Sequence, residues 1–457
     1  MDRVVKFGGS SLANGSQYEK VVDIILANKE RRVVVVSAPG KRNESDEKVT
    51  DLLIEYAHES LLDQNTKKIQ KRLIERYQEI ADYFHVDALD FKDILYRIVH
   101  LSDQFNGESQ YRLSYFKGHG EKLNALLMTL VLKKLGHNAR FVSPEELGLI
   151  VAGNPDSAAV TDQAYTNLSK YEYAEDEILV VPGFYGVTNN GQISTFARGG
   201  SDITGSILAR GFGIKLYENF TDVSSVYSVN PHIVSNPIPI AEMTYREMRE
   251  LSYAGFSVFN DEAIIPAIQG QVAINVKNTN CPSDRGTLIV PEQNVHEKRP
   301  VTGITNSEHF SAIYIHRYLL NQEVGLTLKL LQIFYDFGLS YEHMPSGIDD
   351  LTIIFDNRQL NEEKITAIIA AIQESLQPDE MRWIEDYAII MMVGEGMFDQ
   401  QSTVAEALDA LRDNGIPVNM INQGASQISA MLGTNKVDGK RAVATIYYHF
   451  FEENVHD

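Results

Sequence analysis

The stretch Val4-Val5-Lys6-Phe7-Gly8-Gly9-Ser10-Ser11 reads as an apolar strand running into a glycine turn. Tyr18, Val21, Val22, Ile25 and Leu26 follow it at helical spacing. A second apolar run, Val33-Val34-Val35-Val36, ends in Ser37. Strands apolar at every position suit a parallel sheet covered by helices on both faces, so the fold class is α/β, an αβα sandwich.

Further along, residues 50–112 carry helical spacing and charge with no clear strand, and a largely helical segment beside the sheet is expected there. Strands are expected again at Ala139–Val142, Ile178–Val181, Ile214–Tyr217 and Ala273–Val276. Thr244-Tyr245-Arg246-Glu247 has capping-box spacing and opens a helix through Tyr253. From about residue 300 an internal repeat emerges. Sliding the sequence so that Gly338 meets Gly415 also brings Gly347 onto Gly424, Phe334 onto Leu411, Leu339 onto Ile416, Met344 onto Ile421 and Leu351 onto Ile428. The windows Leu330–Phe355 and Ala407–Leu432 each read as helix end, glycine turn, strand, glycine turn, strand, with helical stretches following at about 361–375 and 437–445. A duplicated βαββαβ unit accounts for both.

Composition narrows the function. The 457 residues hold 41 Lys plus Arg against 62 Asp plus Glu, a formal charge of -21, and a surface that acidic repels a phosphate backbone. Nucleic acid is therefore excluded as a main partner. Cys281 is the single cysteine, so no intramolecular disulfide forms, and a reducing cytoplasm is expected. No apolar run approaches membrane-spanning length, and Asp2, Arg3 and Lys6 open the chain without a signal-peptide core, so neither membrane nor cleavage is expected.

Two glycine turns carry the chemistry. Gly8, Gly9, Ser10 and Ser11 offer backbone N–H groups to an anion, and Lys6 adds a full charge; the plainer reading is a tight strand-to-helix turn. Phe196-Ala197-Arg198-Gly199-Gly200-Ser201-Asp202-Ile203-Thr204 again enters a helix, at Ser201 or Asp202. Arg198 is a planar fork suited to a carboxylate, and Asp202 could orient a lysine or hold a metal through water, or simply complement the helix dipole. Together the two turns point to phosphoryl transfer. Asn219-Phe220-Thr221-Asp222-Val223 with Tyr227 follows a strand and reads either as a ribose and adenine contact or as an ordinary turn. Gly118-His119-Gly120-Glu121 is read as preceding a helix through Leu135, with Glu121 facing a substrate ammonium or the helix dipole. His119 lacks companions at metal-ligand spacing, and no protein metal site is assigned.

In order along the chain, Val5–Ser11, Ala197–Asp202, Phe220–Val223 through Tyr227 and Asn230-Pro231, Lys277-Asn278-Thr279 with Gly286-Thr287, and Val393-Gly394-Glu395-Gly396-Met397 resemble the motifs of the aspartokinases. That family has an amino-acid kinase fold followed by two ferredoxin-like ACT domains, and the resemblance covers nearly the whole length. It implies a catalytic domain at 1–297 and a regulatory region at 298–457. The first ACT unit would span about 313–383 and the second about 384–457, completed by a strand near 301–306. The implied reaction is phosphorylation of the L-aspartate side chain by ATP with Mg2+, and the acceptor carboxylate needs no general base because it is ionised at neutral pH. By motif match Lys6 contacts the transferring phosphoryl group and Asp202 orients it. Gly8, Gly9 and Ser10 cradle phosphate oxygens. Thr50, Glu121, Phe184, Arg198 and Ser201 line the aspartate pocket, and Ser37, Thr221, Asp222 and Tyr227 fall near the nucleotide.

The resemblance further implies a homodimer or dimer of dimers through the ACT domains, with lysine as first and threonine as second expected effector. Gly325, Glu342, Ser346, Gly347, Ile348 and Asp349 are the effector-loop candidates. The chain's end at 457 leaves no expected room for an appended homoserine dehydrogenase. Two departures remove positive charge: Ser257 stands where many relatives carry a lysine, and His232 follows Pro231 in place of arginine. A catalytically silent amino-acid sensor and a related kinase with another substrate are the alternatives.

Overall fold

The computed structural model describes residues 2–451 except 63, 64, 198, 254, 257, 258 and 401, and of Asp261 the backbone alone. The chain divides into two compact units, one of Met1–Val226, Pro239–Ser252 and Ser257–His296, the other of Tyr227–Ile238, Tyr253–Phe256 and Glu297–Asp457.

The first unit is built on an eight-stranded sheet. Its centre is β1 (Arg3–Phe7), flanked by β2 (Arg31–Val36) and by Leu216–Thr221, all parallel. Among the described residues, only the pairing of Ala273–Asn278 with Thr287–Val290 is antiparallel within it. Val5, Phe7, Val34 and Val36 alternate into one core with α1 (Gly15–Leu26), α2 (Val49–Leu61), α3 (Lys67–Tyr83), α4 (Ala88–Val99) and α5 (Arg112–Lys134). On the opposite side the Gly200–Gly211 helix packs against the strands, and Gly205 lets it close on the buried Tyr217 ring, which a Cβ there would meet at 2.5 Å. The αβα sandwich is thus present, and the 50–112 segment is helical.

Three local expectations shift. The strand expected from Ile214 starts at Leu216, because Gly213 (φ 68°) and Ile214 close the preceding helix, Ile214 N donating to Ala209 O. Gly118–Glu121 lies inside α5 rather than before a helix. A Cβ on Gly120 would sit 2.8 Å from the Ala38 Cβ, and one on Gly118 3.2 Å from the Tyr185 ring, so these glycines serve close packing. The strand expected between Gly338 and Gly347 is reduced to isolated bridges at His343 and Ser346. Thr244 and Glu247 do form the reciprocal capping box, Thr244 N to Glu247 Oε2 at 2.8 Å and Glu247 N to Thr244 Oγ1 at 3.1 Å.

The second unit holds a five-stranded antiparallel sheet in which two long strands, Gly303–His316 and Glu380–Val393, are each shared by two halves. Phe310–His316 pairs with Asp350–Asp356 in one half, and Tyr387–Val393 pairs with Ser429–Asn435 in the other. The helices repeat in the register of the sequence alignment, Leu326–Asp336 against Thr403–Asp413 and Glu362–Leu376 against Gly439–Phe451. Gly338 and Gly415 both take positive φ, 57° and 65°, at equivalent turns.

Candidate active site

The ends of β1 and β2 and the start of the Gly200–Gly211 helix enclose a cavity of about 640 Å³. Lys6, Gly8, Gly9, Ser10, Ser37, Thr50, Glu121, Phe184, Ser201, Asp202 and Asp222 line it. Arg198 lies outside the described residues, as does Ser257. Thr221 is not among the lining residues and donates to Asp222 Oδ1 at 3.2 Å, and Tyr227 belongs to the second unit.

Register places the charged centre. Lys6 on β1 is aligned with Asn219 on the neighbouring strand. The Lys6 ammonium lies 2.6 Å from Asp202 Oδ1 and donates to Asn219 Oδ1 at 3.3 Å, while Asn219 Nδ2 donates to Asp202 Oδ1 at 3.1 Å. The closed triangle fixes both charged groups. Sequence reading gave Asn219 no role, because its contact with Lys6 arises only from the register of the two strands. Glycine is required beside this centre. Gly40 N donates to Gly9 O at 2.8 Å, and a Cβ on Gly40 would stand 2.6 Å from the Gly9 carbonyl carbon.

Glu121 is buried, and its Oε1 accepts from Ala38 N at 3.0 Å, whereas Oε2 has no hydrogen-bond partner. Burial pushes its carboxyl up to about 8, against the pull of the Ala38 amide. An orphaned buried carboxylate oxygen on a cavity wall is a receptor for a cationic group. His119, one residue before Gly120, is also buried, with Nδ1 2.7 Å from Tyr115 O and its pKa pushed down to about 3 by burial, so it stays neutral. Phe184 holds a left-handed backbone (φ 75°), locked by donation from its N–H to Thr204 Oγ1 at 3.0 Å and by acceptance from Phe196 N at 2.8 Å. That conformation costs about 1–3 kcal/mol in a non-glycine residue and sets the ring on the cavity wall. Among the described residues no cluster of three His, Cys, Asp or Glu could hold a metal.

Residues 1–278 match the amino acid kinase family and residues 390–450 match the ACT domain. The chain is 43% identical over 449 residues to aspartokinase 3 of Bacillus subtilis, covering 98% of both chains. The chain belongs to the aspartokinase family. This aspartokinase is a phosphotransferase with a regulatory ACT region. Its fold superposes on the Clostridium acetobutylicum aspartate kinase, an allosteric enzyme, with a TM-score of 0.87 and 35% identity, covering 98% of this chain and 100% of that one. Aspartokinase III of Escherichia coli, in complex with aspartate and ADP in its R-state, shares the fold at a TM-score of 0.78 and 19% identity, covering 99% and 100% of the two chains. Another structure of that enzyme, in a T-state, holds lysine and aspartate.

Proposed function

We propose that this aspartokinase transfers the γ-phosphoryl group of ATP to the side-chain carboxylate of L-aspartate, giving 4-phospho-L-aspartate and ADP, the first step toward lysine, threonine and methionine in the cytoplasm. The observation that carries the residue roles is the Lys6–Asn219–Asp202 triangle beside the glycine turn, with the orphaned Glu121 oxygen in the same cavity. Lys6 neutralises charge on the moving phosphoryl group, and Asp202, directly and together with Asn219, keeps the ammonium aimed. Gly8, Gly9 and Ser10 cradle phosphate oxygens, and Ser37, Thr221, Asp222 and Tyr227 belong to the nucleotide side. Glu121 takes the substrate ammonium, Arg198 a carboxylate, and Thr50, Phe184 and Ser201 shape the pocket. The nucleophile arrives ionised, so the site contributes alignment and charge neutralisation rather than a base.

Mg2+ keeps several waters and binds mainly through substrate phosphates with one or two carboxylates, which suits a cavity offering Asp202 and Asp222 and, among the described residues, no ligand cluster. It would neutralise phosphate charge there. Lysine is the first effector proposed and threonine the second, acting at Gly325, Glu342, Ser346, Gly347, Ile348 and Asp349 of a homodimer or dimer of dimers.

Acyl phosphate trapped with hydroxylamine from MgATP and L-aspartate tests the reading. Aspartate-dependent product that falls by about a thousandfold or more in Lys6→Ala supports it, and suppression by lysine supports the effector. Product from another amino acid alone, or undiminished product in Lys6→Ala, overturns it.

A further inference from the structure

Asp202 offsets part of the Lys6 charge, so a polyphosphate entering the cavity calls for positive charge beyond that of Lys6 and a bound Mg2+. Among the described residues lining the cavity, the remaining cations are Lys41 and Lys48, both on the segment between β2 and α2. Lys48 caps α2, whose first turn carries Asp51 on the same cavity wall. Lys41 follows Gly40, whose amide is bonded to Gly9 of the glycine turn. The lysine is thereby anchored beside the phosphate cradle.

The segment is held from behind by arginines. Buried Arg76 of α3 donates to Gly40 O and, at 2.6 Å, to Glu47 O, and pairs with Asp46 at 3.0 Å. Arg42, the intervening basic residue, is engaged by Asp46 and Glu79, and Arg72 by Glu47 and Glu55. These three arginines are thus committed to acidic partners, whereas among the described residues neither Lys41 nor Lys48 forms an ion pair, and of the two it is Lys41 that adjoins the Gly40 amide bonded to the glycine turn. Fixing the backbone on both sides lowers the entropy lost when an exposed lysine settles on a ligand.

Resting on the kinase reading, we infer that Lys41 is a further catalytic residue that binds the β- and γ-phosphates of the nucleotide. Its role is uniform charge neutralisation across ground and transition states, complementary to Lys6 at the transferring group.

The test compares Lys41→Met and Lys41→Arg with wild type, using MgADP titration calorimetry and steady-state kinetics with MgATP and L-aspartate. Lys41→Met should weaken MgADP at least about tenfold and raise KM for ATP in parallel, with KM for aspartate within about twofold. Lys41→Arg should recover affinity to within about threefold, and the salt dependence of MgADP binding should be shallower in Lys41→Met. Lys92→Met, which removes an exposed charge on α4, serves as the control for net charge. MgADP affinity within twofold of wild type in Lys41→Met overturns the inference, as does a change confined to KM for aspartate. Wild-type protein that makes no acyl phosphate from aspartate overturns the kinase reading instead, and calorimetric binding of MgADP still decides the role of Lys41.

Discussion

At the residue scale the titration of Glu121 carries a measurable consequence. Its carboxyl, pushed up to about 8 by burial, is largely protonated at neutral pH in the free enzyme. A neutral carboxyl cannot pair with an ammonium, so KM for aspartate should fall as pH rises from about 6.5 and level off above about 8.5. Glu121→Gln should remove that dependence and raise KM by about 10–100-fold, the loss of one charge-assisted hydrogen bond, with a smaller effect on kcat. A pH–KM profile on both proteins checks it, and a parallel slope in the variant would refute the assignment. The linked stability effect has a definite sign. A carboxyl raised in the folded state favours folding when protonated, so this contribution is lost as pH climbs from the ordinary carboxyl range through about 8.

At the element scale the cavity depends on how the β2–α2 segment is held. Arg76 reaches it from α3 with two carbonyl acceptors, Gly40 O and Glu47 O, and both lose this donor once the guanidinium is removed. Arg76→Met should cost about 2–4 kcal/mol in urea unfolding and raise KM for MgATP more than KM for aspartate. Unchanged KM values beside the stability loss would show that the segment keeps its shape without the arginine. The same scale shows what the sequence could and could not disclose. β1 and β2 were legible because a run of valines has few folds open to it, and the duplicated half was legible because Gly338 and Gly415 need the same left-handed turn. The start of α5 was not, since two glycines read as a helix stop unless the approach of Ala38 and Tyr185 is known. The Asn219 contact was hidden because it arises only from strand register, and the Arg76 anchor because it joins residues far apart in sequence.

At the scale of the whole molecule, the division into two units does not follow the sequence boundary. Tyr227–Ile238, downstream of the Asp222 motif, counts with the ACT region: Ile304 N donates to Ser228 O, Ile238 N donates to Tyr447 Oη, and Val229 and Val234 join the core of Met392, Leu411 and Tyr447. That assignment was beyond local pattern, because only the tertiary core reveals it. The first ACT half also presents an apolar surface. Leu319 N donates to Asp349 Oδ1 at 2.8 Å and Asn321 N to Ile348 O at 3.2 Å, which draws together the two loops bearing Tyr318 and Ile348. Tyr318 is 71% exposed, Ile348 71%, Val324 98% and Leu328 70%, Val324 in the turn before the Leu326–Asp336 helix and Leu328 in its first turn. Large apolar groups this open, on loops that include the proposed effector positions, are the face through which two copies should pair. Leu328→Asp costs the folded chain little because the side chain is already in water, whereas in a dimer it buries a charge. Sedimentation should therefore show the wild type as a dimer or larger and Leu328→Asp shifted toward monomer, with inhibition by lysine weakened and acyl-phosphate formation without lysine retained. An unchanged sedimentation coefficient in the variant would place the interface elsewhere on the chain.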